Sequence, residues 1–142
     1  MDQTLDGSQG LRPVAVEDGP YEVAHGMLRA GRGAKDRGSY LYFQISDHFA
    51  FDVDADFELE VVRSGEHALF VEFDSHDPKG VFDGSYTTCR AQMQDADGHL
   101  LRESYLLRRA RLCNRENGGA DFRLVLPEHQ GEVKSLRLRR VR

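Results

Sequence analysis

The sequence predicts an all-β protein, an antiparallel β-sandwich folded as a single domain. Short strand-like runs alternate with turn signals along most of the chain, and no segment forms a convincing amphipathic helix. A chain of 142 residues is long enough to bury a core without disulfide or metal staples. Many short strands at this spacing are typical of a sandwich rather than of an α/β protein.

The predicted strands follow from local composition and are bounded by turn residues. In chain order they are 11–17, 21–30, 40–45, 57–62, 69–73, 87–93, 100–107, 122–126 and 133–141. The run 40–45 is rich in aromatic and branched side chains, which favour strands. Phe57, Leu59 and Val61 alternate with glutamates, which is the period-two pattern of a half-buried strand. Asp97-Gly98 predicts a hairpin turn before the run that begins at residue 100.

The polar N-terminus and the short apolar runs indicate how the chain is divided into domains. We expect residues 1–10, which are polar, to be a flexible N-terminus and residues 11–142 to form the sandwich. The first residues lack the basic start and the apolar segment of a signal peptide. No apolar run approaches the roughly 20 residues that a membrane helix needs. We therefore expect no membrane partner, and the chain is compatible with a module taken from a longer secreted protein.

Charge is distributed unevenly along the chain. Residues 1–89 carry 7 Lys and Arg against 17 Asp and Glu, whereas residues 90–142 carry 12 against 7. Either acidic strands pair with basic strands across the sheets, or a basic face binds an anionic polymer. Nucleic acid is not expected as a partner, because the net charge is −5 and no reader motif is present. Cys89 and Cys113 are too few for a zinc site, and two buried thiols are favoured over one disulfide.

No motif in the chain specifies catalysis or cofactor binding. The glycine-rich stretch 31–38 lacks the spacing and the following helix of a phosphate-binding loop, which favours a hairpin loop. Asp52, Asp54 and Asp56 resemble the start of a calcium-binding loop, but a phenylalanine stands where glycine is required. In an extended chain these aspartates need arginines or a cation opposite them. Ser46-Asp47-His48 are consecutive, whereas a catalytic triad converges from different elements. We predict a protein that is not an enzyme and requires no cofactor.

The aromatic side chains indicate a binding function. Sugar-binding modules use exposed rings that stack on the C–H face of a pyranose, with polar side chains beside them. The chain has no Trp, but Tyr40, Tyr42, Phe82 and Tyr86 remain. Tyr40 and Tyr42 alternate with an apolar set that faces the core, so we expect both to be exposed. Alternatively, Tyr42 covers a sheet edge. The polar loop 74–86 is longer than a connector requires, which indicates either a binding loop or a crossover between sheets.

The segment Asn114–Leu124 carries the most specific pattern in the chain. It reads N-R-E-N-G-G-A-D-F-R-L and follows Ala110-Arg111-Leu112. The segment resembles the A-x-F-x-N-R-x-N-G-G-A-D-F-R sequence of small jelly-roll modules attached to secreted bacterial polysaccharide-degrading enzymes. The run 40–45 is similar to the Y-L-Y-F-D-V strand of these modules, and 61–75 is similar to their V-E-V-x-Y…Y-D-S pair. The resemblance extends over residues 40–141, most of the chain.

The resemblance implies a galactose-binding-like jelly roll that acts as an extracellular or cell-surface accessory module. It favours a strand at 100–112, where the apolar residues fit both the helical and the strand period. It also places a structural calcium ligand at Asp121. The chain departs from the family pattern at Gln44, where Asp is usual, at Cys113, where a small residue is usual, and in its lack of Trp.

Three functions are compatible with these patterns. The preferred one is a non-catalytic carbohydrate-binding module for a polysaccharide, an acidic one if the charge asymmetry forms a basic face. The predicted ligand contacts are Tyr40, Tyr42, Asp74, Asp77, Tyr86 and Arg90. The alternative is a structural accessory domain that packs against a catalytic domain of the same chain without binding sugar. A small polysaccharide-acting enzyme is the most distant alternative.

Overall fold

The computed structural model describes residues 2–4, 10–31, 40–126 and 131–141, and these ranges form an antiparallel β-sandwich. Twelve strands are present in the described part of the chain. They are β1 (Asp2–Thr4), β2 (Leu11–Val14), β3 (Tyr21–Ala24), β4 (Met27–Ala30), β5 (Tyr40–Ile45), β6 (Ala55–Arg63), β7 (Phe70–Phe73), β8 (Thr87–Arg90), β9 (Met93–Asp97), β10 (Leu100–Ala110), β11 (Phe122–Val125) and β12 (Glu132–Arg140). The predicted fold class is confirmed.

The order of the strands is that of a jelly roll. The larger sheet has the order β3-β4-β12-β6-β10-β9, with β1 also pairing with β12, and the smaller sheet has the order β2-β5-β11-β7-β8. When β1, β2, β3 and β9 are set aside, the remaining eight strands pair first with last and second with second-to-last. These pairs are β4 with β12, β5 with β11, β6 with β10 and β7 with β8. Nested pairing of this kind is the double Greek key of jelly-roll sandwiches.

The core lies between the two sheets and follows the period-two pattern of the strands. On β6, Phe57, Leu59 and Val61 are fully buried, as the sequence predicts. On the facing sheet, Phe43 of β5 stacks on Phe122 of β11 with ring centroids 5.2 Å apart. Burial of one such side chain contributes about 1.5–3 kcal/mol, so the apolar faces dominate the stability of the sandwich.

The uneven charge along the sequence is explained by cross-strand ion pairs. Arg139 of β12 lies 3.1 Å from Glu58 of β6, and Arg102 of β10 lies 2.8 Å from Glu60 of the same strand. Acidic β6 is therefore flanked by two basic strands on the outer face of the larger sheet. Exposed pairs of this kind contribute roughly 0–1 kcal/mol each, and they place acidic and basic side chains side by side on this face.

The predicted repulsion among the three aspartates before β6 is relieved by two arginines. The Arg111 guanidinium lies 2.7 Å from Asp52, and the Arg109 guanidinium lies 3.0 Å from Asp54. The Arg109 amide also donates to Asp56 at 2.8 Å. The hydrogen bond from Arg109 lowers the pKa of Asp54 below its ordinary value. Arginines therefore stand opposite Asp52 and Asp54, which is one of the two arrangements that the sequence predicts.

Several predicted strands differ from the observed ones in their bounds. The run 21–30 is a hairpin of β3 and β4, because His25 and Gly26 both adopt positive φ angles. The run 87–93 is divided, because β8 belongs to the smaller sheet and β9 to the larger one. Residues 2–4 of the predicted flexible N-terminus form β1 on the edge of β12. The strand prediction for 100–112 is confirmed by β10, and the predicted loop at 31–38 lies outside the described residues beyond Gly31.

The two cysteines are free thiols, which agrees with the favoured prediction, although both are half-buried rather than fully buried. Burial raises the pKa of Cys89 to about 11, and its thiol donates to the Leu106 carbonyl at 3.1 Å. At neutral pH the Cys89 sulfur is therefore protonated, which makes it a weak nucleophile.

A buried ion pair joins β6 to β10 inside the larger sheet. Arg63 and Glu103 are each 2% exposed and are joined by hydrogen bonds of 2.6 and 3.1 Å. The Glu103 carboxylate also accepts from the Tyr105 hydroxyl at 3.0 Å and from the Gln94 amide at 2.8 Å. Both carboxylate oxygens thus have two donors each, which is the condition under which a buried charge pair is tolerated.

Candidate ligand-binding pocket

A pocket of about 670 Å³ lies on the outer face of the smaller sheet. Its volume is in the range of sites that hold small organic ligands, which is roughly 300–1,000 Å³. We call it the Arg123 pocket, and its lining residues are Asp18, Tyr42, Phe82, Ser85, Tyr86, Arg115, Glu116, Asn117, Gly118 and Arg123. Four separate stretches of the chain contribute to it.

Arg123 lies at the centre of the pocket because of the strand register. Its neighbours Phe122 and Leu124 on β11 point into the core, so Arg123 points outward. It is paired across the sheet with Tyr42 on one side and Glu72 on the other. Its guanidinium donates to Glu72 at 2.8 Å and to the Tyr42 hydroxyl at 2.6 Å. Two cross-strand partners therefore hold the arginine in one orientation.

Three tyrosine rings surround the Arg123 guanidinium. Its central carbon lies 4.0 Å from the ring centroid of Tyr40, 4.4 Å from that of Tyr86 and 5.5 Å from that of Tyr42. Each cation–π contact of this kind contributes about 0.5–2 kcal/mol. Burial lowers the pKa of Arg123, but the hydrogen bonds to Glu72 and Tyr42 outweigh it, so the pKa lies above its ordinary value. The arginine is a permanent positive charge within an aromatic cage.

Tyr42 is on the predicted outer face of β5, but it is only 1% exposed, so the prediction that it is exposed is wrong. The hairpin 16–19 folds over its ring, and a Cβ on Gly19 would lie 2.5 Å from the ring, so only glycine fits there. The Tyr42 hydroxyl donates to Asp18 at 3.1 Å. Desolvation by burial raises the pKa of Tyr42 above its ordinary value. Strand alternation places Tyr42 on the outer face of the sheet, and the hairpin 16–19, which is distant in sequence, covers it there.

The asparagine and glycine residues of the 114–124 segment shape one wall of the pocket. Gly118 and Gly119 have φ angles of 68° and 80°, which confirms the sharp corner that two glycines permit. A Cβ on Gly118 would lie 2.3 Å from a methyl carbon of Val16, so the corner packs directly on the hairpin that covers Tyr42. The Asn117 amide donates to the Tyr86 hydroxyl at 2.8 Å. The corner therefore joins the hairpin to the loop that follows β7.

Glu116 lines the pocket without a hydrogen-bond partner for its carboxyl group. The residue is 3% exposed, and both carboxyl oxygens are buried and unpaired within the described part of the chain. Desolvation raises the pKa of Glu116 well above its ordinary value, although the charge of Arg123 opposes this effect. Buried polar groups in proteins are nearly always hydrogen-bonded, and the exceptions are frequent at functional sites. The sequence analysis did not select Glu116 because an unpartnered carboxyl is recognisable only in three dimensions.

Phe82 and Tyr86 form an aromatic rim at the mouth of the pocket. Phe82 is 76% exposed and adopts a φ angle of 50°, which is strained for a bulky residue. Its ring meets the Tyr86 ring edge to face at 5.8 Å. Both belong to the loop 74–86, which joins two strands of one sheet and is therefore not a crossover between sheets. The binding-loop interpretation of this segment stays a prediction, and the loop does supply the rim.

The other predicted contact residues lie outside the lining of this pocket. Tyr40 does not line the pocket, but its ring contacts the Arg123 guanidinium, which does. Asp74 is fully buried and accepts from Arg115 at 2.7 Å and from the Cys113 amide at 2.9 Å, so it supports the pocket wall from behind. Asp77 lines a separate groove of about 380 Å³, and Arg90 lies over the Phe70 ring at 5.2 Å. Of the six predicted ligand contacts, only Tyr42 and Tyr86 therefore line this pocket.

Asp121, the predicted calcium ligand, is fully buried beside Asn114. Its two oxygens accept from the Ile45 amide and the Asn114 amide, each at 2.9 Å. Burial raises the pKa of Asp121 to about 6, and the two backbone donors oppose this effect. The residues that the structure describes contain no group of three His, Cys, Asp or Glu side chains that could hold a metal ion. Calcium binding stays a prediction, and Asp121 joins β5 to the 114–124 segment.

No family model, curated protein or solved structure shows a significant match to this chain. Within the described ranges, no helix is long and apolar enough to cross a membrane. The functional interpretation therefore depends on the geometry of the pocket and on the resemblance carried by the 114–124 segment.

Proposed function

We propose that this chain is a non-catalytic carbohydrate-binding module that holds a polysaccharide in the Arg123 pocket. The observation that carries the proposal is that the same pocket is lined by an exposed ring, Phe82, and by a buried residue with an unpartnered carboxyl, Glu116. An exposed aromatic ring offers apolar surface on which a sugar ring can stack, and an unpaired buried carboxyl is unfavourable unless a donor reaches it. A saccharide supplies an apolar C–H face and hydroxyl groups in one molecule.

The chemistry of the lining agrees with this type of ligand. Phe82 and Tyr86 present ring surfaces at the rim, and Asp18, Asn117 and Ser85 present polar groups beside them. Small-molecule sites combine apolar and aromatic walls with a few polar groups that fix orientation. The strained φ angle of Phe82 is a further sign of function, because such strain clusters at binding sites.

The sequence resemblance supports the same function. The N-R-x-N-G-G-A-D-F-R pattern specifies Arg115, Asn117, Gly118 and Arg123, and all four line the pocket, whereas Glu116 stands at its variable position. In the similar modules this segment belongs to accessory domains of secreted polysaccharide-degrading enzymes. We therefore propose that the chain acts outside the cell, beside a catalytic domain that it holds close to a polysaccharide.

Affinity electrophoresis through gels that contain soluble polysaccharides tests the proposal. We expect the protein to be retarded by at least one polysaccharide, and Phe82→Ala to weaken the interaction by about tenfold. Phe51→Ala is the matched control, because Phe51 is 50% exposed and does not line the pocket. Retardation that Phe82→Ala leaves unchanged would place the site elsewhere. A folded protein that migrates normally in every gel would favour the structural accessory domain.

A further inference from the structure

The two arginines of the pocket are already paired with carboxylates. Arg123 contacts Glu72 at 2.7 Å, and Arg115 contacts Asp74 at 2.7 Å. Arg115 also donates to two backbone carbonyls, those of Ser75 at 2.8 Å and Asp83 at 3.1 Å. Neither guanidinium is therefore available for the bidentate grip on a carboxylate or sulfate that arginine usually provides at anion sites.

Carboxyl groups outnumber arginines around the Arg123 pocket. Among the described residues, the pocket lining and its direct ion-pair partners contain two arginines, Arg115 and Arg123. They contain four carboxylates, those of Asp18, Glu72, Asp74 and Asp83, besides the Glu116 carboxyl, whose raised pKa favours the neutral acid. A uronic or sulfated sugar in this pocket would meet negative potential at short range. Opposing charge at an interface is an effective means of rejecting a wrong ligand.

The Glu116 carboxyl is placed to respond to a ligand hydroxyl. The Glu116 backbone is held by hydrogen bonds of 3.0 Å to both Ala120 and Gly119, and its carboxyl oxygens are buried, so contact with a ligand hydroxyl requires the side chain to turn toward the pocket. The charged groups around the carboxyl are Arg123 on β11, Glu72 on β7, and Asp74 and Asp121 next to these strands. Burial and, to a smaller extent, the three carboxylates raise the pKa of Glu116 against the effect of Arg123 and so favour the neutral carboxylic acid, which both donates and accepts a hydrogen bond. A sugar hydroxyl has the same dual capacity.

We infer that the ligand of the Arg123 pocket is a neutral saccharide, and that Glu116 selects it by hydrogen-bonding its hydroxyls within a pocket that repels anionic sugars. This inference rests on the proposed function and names its ligand class. It replaces the acidic polysaccharide that the charge asymmetry of the sequence suggested, because the cross-strand pairs of the larger sheet already account for that asymmetry.

Matched pairs of oligosaccharides that differ only in the carboxylate test the inference. Titration calorimetry would compare oligomers of galactose with galacturonic acid, mannose with mannuronic acid, and glucose with glucuronic acid, at low and high salt. We expect the neutral member of the bound pair to bind at least about tenfold more tightly at low salt. Asp18→Asn is expected to reduce the ratio of the affinities for the neutral and the uronic oligomer, since it removes one exposed negative charge from the pocket lining.

Two variants of Glu116 separate its contact with the sugar from its charge. Glu116→Ala is expected to weaken binding of the neutral sugar by about tenfold, whereas Glu116→Gln retains most of it because the amide also donates and accepts. Glu66→Gln, at an exposed position, is the control, and circular dichroism checks that each variant is folded. Equal or tighter binding of the uronic member, or normal binding by Glu116→Ala, would overturn the inference while leaving the proposed function intact. Binding of no saccharide at all would refute the proposed function itself.

Discussion

Replacing Glu116 by glutamine is expected to stabilise the protein at neutral pH and not at acidic pH. The carboxyl is buried, has no hydrogen-bond partner among the described residues and lies near three other carboxylates. Glutamine has nearly the same shape but cannot ionise. The substitution therefore removes the free-energy penalty of a buried carboxyl without opening a cavity.

The magnitude follows from ionisation, because each unit by which burial raises the pKa of a carboxyl costs about 1.4 kcal/mol of stability at pH values above that pKa. Burial raises the pKa of Glu116 in the folded state above its value in the unfolded chain. Below the unfolded value of about 4.3, both states are protonated and the penalty is absent. As the pH rises, the unfolded chain ionises first, so the folded wild type loses relative stability until its own carboxyl ionises. We expect Glu116→Gln to be about 1–3 kcal/mol more stable at pH 8 and close to the wild type at pH 4.

Urea denaturation followed by circular dichroism at pH 4, 5, 6, 7 and 8 measures this difference. The buried Asp121 has a pKa of about 6 and changes stability in the same direction, but it is common to both proteins and cancels. Glu66→Gln, at an exposed position, should show no pH-dependent difference. A Glu116→Gln protein that is less stable than the wild type at pH 8 would show that the carboxylate has a partner, and would refute the reasoning.

Three further predictions concern other parts of the fold. Arg63→Met is expected to destabilise the fold by about 3–5 kcal/mol in urea denaturation, because it leaves the Glu103 carboxylate buried without its counter-charge. A double variant that also replaces Glu103 by leucine should recover most of this stability. Gly118→Ala is expected to destabilise the protein by more than about 1 kcal/mol, since φ is 68° and the new methyl would meet Val16; an unchanged urea midpoint would contradict the positive φ. Ellman's reagent without reductant should titrate both thiols rapidly in urea and Cys89 slowly in the native protein, whereas no free thiol in urea would reveal a disulfide.

The proposed binding function gives a reason for a residue that weakens the fold. A carboxyl without a partner lowers stability in the free protein, and binding sites commonly accept such a loss in exchange for ligand contacts. Two residues of the pocket are placed unfavourably in the free protein: Glu116 is polar and buried, and Phe82 is apolar and exposed. In the proposed function, a molecule with hydroxyl groups and an apolar face would contact both.

Local patterns in the sequence determined the strands and the identity of the core face. The strand at Tyr40–Ile45 and the buried face of β6 were predictable because alternation of side chains is a property of a few adjacent residues. The hairpin at Asp97-Gly98 was predictable because a two-residue turn depends on local backbone preferences, and Gly98 does adopt a positive φ. The arginines opposite the aspartates of 52–56 were anticipated as one way to relieve repulsion.

The composition of the pocket was decided only by the tertiary structure. Tyr42 was correctly assigned to the outer face, yet the distant hairpin at 16–19 covers it, and nothing in a local pattern reports such a contact. Arg123 obtains its orientation from partners on two neighbouring strands, and Glu116 is distinguished only by the partners it lacks. The sequence by itself therefore determined which faces of the strands are apolar, because that depends on neighbours along the chain. The folded jelly roll decided which polar and aromatic side chains meet, because strands that are adjacent in its sheets are far apart in sequence.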